Sequence, residues 1–311
     1  SRAFTSPRLV SNETYLKVME AAKRLQYVPN PLAQALSVSS TKNITIVVPN
    51  IESITTAGIV RGCMHYLNQY GYSLLVLDSS EDYDLELDYT NLLEKKLSDG
   101  VIFCYGSAKQ VMTKMKHRFP LVFVEIVPED PEVDYIAMDF RSGIAKIFKH
   151  LLDLKHQRIA VVFGRNDDYA RNRLNTILAV APEYNLEFPK EYLHFSNWTL
   201  QDGFEAFREI MSTKVPPTAF IYISDLMAFG GLKAAAELGY KVPADITIIG
   251  TDDSPTSAYT RPSLSTLKYS PYKIGLKAAE TILHRIQDPG ISRIEHLISV
   301  DLNIRNSSAR C

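Results

Sequence analysis

Two adjacent carboxylates, Asp252 and Asp253, follow the apolar run DITIIG at 245–250. A carboxylate pair at the end of a strand is compatible with acid chemistry, a metal, a polar cap on the strand exit, or acceptors for a ligand in a cleft. Nothing else in the chain completes a catalytic set. There is no GxxxxGK[ST] phosphate loop, GxSxG elbow, HExxH or CxxC, so the phosphate cradle, activated serine, zinc pair and redox dithiol of those chemistries are missing. GSAKQ (106–110) and FGGLK (229–233) are too short to cradle phosphate. The seven histidines are scattered, and His117, His150, His156 and His296 fall in helix or linker contexts that suit surface or capping roles. Cys63, Cys104 and Cys311 form no spaced pair. Cys63 and Cys104 lie in apolar contexts and read as small core residues in a reducing cytoplasm. The sequence therefore offers no catalytic residues, no metal ligands and no cofactor motif.

The elements that must position Asp252 alternate along the chain. Short runs rich in β-branched residues, ITIVV (44–48), SLLVL (73–77), VIFCY (101–105) and LVFVE (121–125), are separated by helical segments, and a strand near 135–138 leads to a helix at 142–154. The rhythm then restarts with RIAVVFG (158–164), helix 169–181, a strand near 192–195, helix 199–212, TAFIYI (218–223), helix 225–239 and DITIIG (245–250). Apolar strands alternating with amphipathic helices predict parallel βαβ units. Two successive units of similar size predict an α/β fold of two doubly wound parallel-sheet lobes with a cleft between them. Its floor should come from the segments that follow the strands. The tail supplies a helix at about 272–287 and a strand at 295–302 that is placed to cross back between lobes.

The 311 residues suit two or three domains, and 46% apolar with 22% charged residues is ordinary globular composition. The net charge of −1 excludes a polyanion binder as a whole. Residues 1–42, however, carry six basic residues (Arg2, Arg8, Lys17, Lys23, Arg24, Lys42) against Glu13 and Glu20. A basic arm on an acidic body fits a nucleic-acid-reading end, although chance clustering on a solvated surface is the alternative. Within it Ser11 reads as the N-cap of a helix, with Tyr15, Val18, Met19, Ala22 and Leu25 on one face. Pro29 stops that helix and Pro31 can start another over Leu32–Leu36. No signal peptide and no run of membrane-spanning length is present, which predicts no membrane partner.

LVSNETYLKVMEAAKRLQYVPNPLAQAL, followed by ISDLMAFGGLKAAAELGYKVPADITIIGTDDSPTSAYTRPSLSTL, resembles the lactose-repressor/galactose-repressor family of bacterial transcription regulators. The resemblance runs from Ser1 to the C-terminus, with several motifs in order at matching separations. It implies a partial helix-turn-helix headpiece at 1–29 and a hinge helix and linker at 30–42. It implies a first core lobe at 43–155 plus 270–294, and a second at 156–269 plus 295–311. The body is expected to be similar to periplasmic sugar-binding proteins. The family further implies a homodimer on pseudopalindromic operator DNA. SRAF is similar to the end of a recognition helix, so Arg2 resembles a base-edge reader. Leu36 resembles the hinge leucine that wedges into the minor groove. A chain starting within the headpiece is expected to bind operator weakly or not at all.

The resemblance also implies the effector-contacting residues. These are Asp139 after the 135–138 strand, Arg173 in YARNRL, Trp198 in NWTLQDGF, Ser224 where the family usually has Asn, and Asp252. Serine offers one hydroxyl where asparagine offers both an amide donor and a carbonyl acceptor. SITT (53–56) stands where the family often has NPFF, so two aromatic platforms become threonines and the wall becomes smaller and more polar. An Arg173/Asp139/Asp252 pocket with indole stacking suits a sugar, sugar derivative or other polyhydroxylated or zwitterionic molecule. The expected function is therefore an effector-controlled transcriptional regulator. A solute-binding protein of a sugar transport system shares the two-lobed body and is the alternative, and the basic arm with Leu36 speaks against it.

Overall fold

A computed structural model describes residues 2–5, 7–27, 40–94, 97–105, 119–128, 130 and 132–310. The expected hinge helix with Leu36, His117, and the helical segment expected between 105 and 121 lie largely or wholly outside these residues. Arg2 opens a one-turn helix α1 (Arg2–Thr5). Helix α2 (Asn12–Arg24) follows and is capped by Ser11, whose Oγ accepts from the Thr14 amide at 3.3 Å. Val18, Met19 and Ala22 on its apolar face are half-buried, whereas Leu25 is exposed.

The first sheet is built from β1 (Asn43–Val48), β2 (Ser73–Asp78), β3 (Gly100–Cys104), β4 (Leu121–Val124) and β5 (Asp134–Met138). Helix α3 (Ile54–Gln69) connects β1 to β2, and α4 (Tyr83–Glu94) follows β2. The chain then runs through α5 (Phe140–Asp153), β6 (Ile159–Phe163), α6 (Asp168–Val180) and β7 (Leu193–Phe195). It continues with α7 (Leu200–Met211), β8 (Ala219–Tyr222), α8 (Asp225–Glu237), β9 (Thr247–Gly250) and β10 (Ser265–Lys268). The tail comprises α9 (Pro271–Gln287), β11 (Glu295–Ile298) and β12 (Asp301–Asn303).

The strand orders are β11-β5-β4-β3-β1-β2 and β12-β10-β9-β8-β6-β7. All pairings are parallel except β10 with β12. The repeat expected from the sequence is thus visible in the sheets: β1 and β6 each sit where the order reverses. Central strands such as β3, β5 and β6 are buried along their whole length, as β-branched and aromatic runs covered by helices on both faces must be. Each fully buried Ile or Phe there contributes about 1.5–3 kcal/mol. Cys63 and Cys104 are core residues, and burial pushes the Cys63 thiol up to about 12. Helices α3 and α9 touch backbone to backbone. A Cβ on Gly62 would lie 2.2 Å from the Tyr272 carbonyl oxygen, and one on Gly275 would lie 2.0 Å from that of Ile59.

Two boundaries differ from the sequence expectation. The first crossing between lobes falls at Asp139, not after 155: α5 packs on α6 and β12 of the second lobe. A Cβ on Gly143 would meet Leu267 and Val300 there at 2.8 and 3.0 Å. The tail strand expected over 295–302 is two strands. β11 pairs with β5 in the first sheet and β12 with β10 in the second, so 295–298 belong to the first lobe. A second crossing lies between β10 and α9, and a third between β11 and β12. The Asp139 amide donates to the Ile298 carbonyl at 2.9 Å, tying the first crossing to the third.

Candidate functional site

The cleft between the lobes encloses about 520 Å³, within the range of small-molecule sites. Its lining comes from segments that follow strands. Pro49, Asn50 and Glu52–Thr56 follow β1, Glu81 and Glu86 follow β2, and Tyr105 follows β3. From the second lobe come Arg165 and Asp167 after β6, Trp198 after β7, Ser224 after β8 and Asp252 after β9. Four helices begin at this cleft, capped by Ser53, Asp167, Thr199 and Ser224. Their amide ends supply partial positive charge.

Of the residues expected to meet an effector, the structure brings together Trp198, Ser224 and Asp252 on the lining. Trp198 is half-buried and lies against Gly164, where a Cβ would sit 2.1 Å from the indole. The Asp252 carboxylate accepts from the Asp225 amide at 2.9 Å. Burial and the neighbouring Asp225 charge push the Asp252 carboxyl up to about 7. Asp225 itself is buried, and its carboxylate accepts from the Asp252 and Ser254 amides and the Ser257 and Thr266 hydroxyls. The Asp252–Asp253 pair divides: Asp253 turns away to Arg305, at 2.5 Å.

Asp139 and Arg173 are not on the lining. Asp139 caps α5, its Oδ1 accepting from the Ser142 amide at 3.0 Å. Arg173 is 3% exposed, and its Nη2 lies 2.5 Å from Glu125 Oε2, an ion pair that joins the lobes beside the first crossing. The Phe140 and Tyr169 rings flank the guanidinium at 4.4 and 4.6 Å. Burial pushes the Glu125 carboxyl up and the Arg173 charge opposes that shift. Glu125 also accepts from the Met138 amide at 2.9 Å. The reason Arg173 turns inward is that carboxylate: an acid at the end of a fully apolar strand needs a cation to be buried at all.

Sequence reasoning missed Arg165 and Glu81. Both lie in post-strand segments, GRNDD and SSED, and that position was the available signal. Two of the histidines carry structural contacts: His156 bonds Thr218 Oγ1 at 3.0 Å and the Ala309 carbonyl at 2.9 Å, and His150 bonds Ser308 Oγ at 3.0 Å. Among the described residues no group of three His, Cys, Asp or Glu converges as metal ligands. No helix among them is long and apolar enough to cross a membrane.

Residues 148–308 match the periplasmic binding protein-like domain family. The chain is 30% identical over 311 residues to the HTH-type transcriptional repressor PurR of Mannheimia succiniciproducens, covering 99% of this chain and 93% of that protein. The chain belongs to the lactose-repressor/galactose-repressor family. PurR of Haemophilus influenzae is 28% identical over 313 residues, with 99% of this chain and 93% of that protein covered. The lac repressor dimer bound to operator and the anti-inducer ONPF superposes with a TM-score of 0.86 at 25% identity, covering 99% of this chain and 94% of that one. As a member of this repressor family the chain is a transcriptional regulator and not an enzyme.

Proposed function

We propose that the chain, as a homodimer, controls transcription in the cytoplasm through operator DNA. Its cleft takes a hydroxyl-rich, sugar-like effector that is uncharged or cationic. The charge balance of the lining carries this reading. Among the described residues the lining holds six carboxylates (Glu52, Glu81, Glu86, Asp167, Asp225, Asp252) and one cation, Arg165, with Asp225 committed to internal bonds, Asp167 to its helix cap and Glu81 to Arg165. Carboxylates accept hydrogen bonds and hydroxyls or amines donate them. The Trp198 face offers the apolar platform on which a sugar ring stacks. An anionic ligand would meet like charge in a partly desolvated site. Arg173, matched with Glu125 away from the lining, leaves no second cation to receive it.

Thermal denaturation of the protein with ribose, glucose, glucosamine and glucuronate tests the reading. A ligand at a hundredfold excess over its Kd stabilises by about 2.7 kcal/mol. A neutral or amino sugar should raise Tm, and glucuronate should not. Stabilisation by the acid sugar alone, or by none of the four, refutes the reading.

A further inference from the structure

The two sheets are joined by crossings that cluster at one edge. β5 and β11, which lead into the first and third crossings, lie side by side at one end of the first sheet, and β2 is the strand at the other end. In the second sheet β12 and β10, which carry the third and second crossings, occupy one end, and β6 lies next to the far edge. Strands spaced by about 4.8 Å place the end of β2 about 20 Å from β5. Opening the cleft by rotation about the crossings therefore moves the β2 edge most. A rotation of about 10° carries that edge about 3 Å, more than a hydrogen bond tolerates.

Arg165 and Glu81 meet at that far edge. Arg165 follows β6 and Glu81 follows β2, and both line the cleft. Arg165 Nη2 lies 2.9 Å from Glu81 Oε2, while Nη1 donates to the carbonyl oxygen of the same residue. One guanidinium thus reads the side chain and the backbone of Glu81 together, a forked contact that lysine does not reproduce. The receiving loop is held in place. Ser80 and Glu81 take left-handed φ values of 49° and 62°. The Glu81 amide donates to the Pro49 carbonyl at 2.9 Å, and the Ser80 amide to Asp78 Oδ1 at 2.6 Å. A positive φ in two consecutive non-glycine residues persists only where surrounding bonds hold it. Both partners are half-buried, so water weakens the pair less than a surface contact. A second ion pair between the lobes, Arg173–Glu125, sits beside the first crossing, where rotation about the crossings displaces it least.

We propose that Arg165 is a positioning residue for the effector response. Its contact with Glu81 latches the two lobes at the edge farthest from their crossings and sets how readily the cleft opens. The latch rests on the cleft being the effector site only for its regulatory meaning; closure itself is measured without an effector.

The chain's single tryptophan, Trp198, lines the cleft and reports its opening. Acrylamide quenching of Trp198 is compared for the ligand-free protein, Arg165→Ala, Glu81→Ala and the double variant, with small-angle scattering on the same samples. Loss of a half-buried ion pair shifts the open-to-closed ratio by about two- to fivefold. Each single variant should quench more strongly and show a larger radius of gyration, Glu81→Ala less than Arg165→Ala because it keeps the carbonyl oxygen that Nη1 reaches, and the double variant should go no further than Arg165→Ala. Arg165→Lys, which keeps the charge but loses the fork, should fall between. Unchanged quenching and radius in both single variants, or additive effects in the double, overturn the latch. A latch that passes while no sugar stabilises the protein would leave closure standing and remove the sugar-like effector reading alone.

Discussion

Gly164→Ala tests whether the indole of Trp198 is held where the cleft reading requires it. Gly164 follows β6, and its φ lies outside the left-handed region, so alanine meets no backbone strain there. The obstacle is steric. A Cβ at this position sits 2.1, 2.2 and 2.4 Å from three atoms of the Trp198 ring. Ordinary carbon contacts lie near 3.5–4.0 Å, so the ring has to withdraw by about 1.5 Å. Overpacking of this kind costs about 1–3 kcal/mol, or roughly 3–10 °C in Tm for a unit the size of one lobe. Because the chain holds one tryptophan, intrinsic emission reports this ring alone. The maximum should move to longer wavelength as the indole is pushed from Gly164 toward the open cleft, and any stabilisation by a sugar should shrink with it. Gly290→Ala is the control, since a Cβ there meets only Asp288 Oδ1, at 3.5 Å. Emission and Tm of Gly164→Ala that match the control would refute the placement of Trp198 on the cleft wall.

Two further outcomes are expected. Arg173→Ala leaves the Glu125 carboxylate buried without its cation and should cost about 3–5 kcal/mol by chemical denaturation; a variant as stable as the parent would show that the pair does not join the lobes. Asp252 has a folded-state carboxyl at about 7, above its unfolded value. The native state therefore binds the extra proton, and stability falls as pH rises from about 4 to about 7. Asp252→Asn keeps an oxygen to accept from the Asp225 amide and removes the titration, so it should gain on the parent between pH 5 and pH 8; parallel Tm profiles for the two proteins would refute the shift.

The strands were legible because β-branched and aromatic runs buried on both faces leave few alternatives to a covered parallel sheet. The lining comes from segments that follow strands, as the parallel-sheet rule expects, and Trp198, Ser224 and Asp252, which the family resemblance implied, fall on it. The sheet each element joins was less visible. Helix α5 has the same amphipathic period whichever lobe it covers, so the crossing at Asp139 left no local mark. The break between β11 and β12 is two residues, Ser299 and Val300, inside one extended stretch. Depth was the other gap. The family resemblance places Arg173 at the effector, and its sequence position carries no record of Glu125, 48 residues earlier, with which it is buried. The acid closing LVFVE was the usable hint, since an ionised carboxylate at the end of a buried strand demands a partner. Arg165 and Glu81 are 84 residues apart and meet only because two similar units pack face to face.

Strand β1 joins the linker to the cleft. This strand starts at Asn43, directly after the linker, and ends at Val48, next to Pro49 on the cleft lining. Its span is about 20 Å of buried, fully paired parallel strand, with β2 on one side and β3 on the other. At the linker end, the Asp99 carboxylate accepts from Ser40 Oγ at 2.6 Å, the Thr41 amide at 2.6 Å, Thr41 Oγ1 at 2.8 Å and the Lys42 amide at 3.1 Å. Burial works to raise the Asp99 carboxyl, and these four bonds overcome it and hold the group below its usual range. Asp99 stands just before β3, and β3 ends next to Tyr105 on the lining. Both strands that run between the linker anchor and the cleft are therefore clamped together at the anchor. Residues 40–42 cannot move independently of the first lobe while those bonds hold. A change in the angle between lobes reaches the linker as a rigid displacement of the whole first lobe.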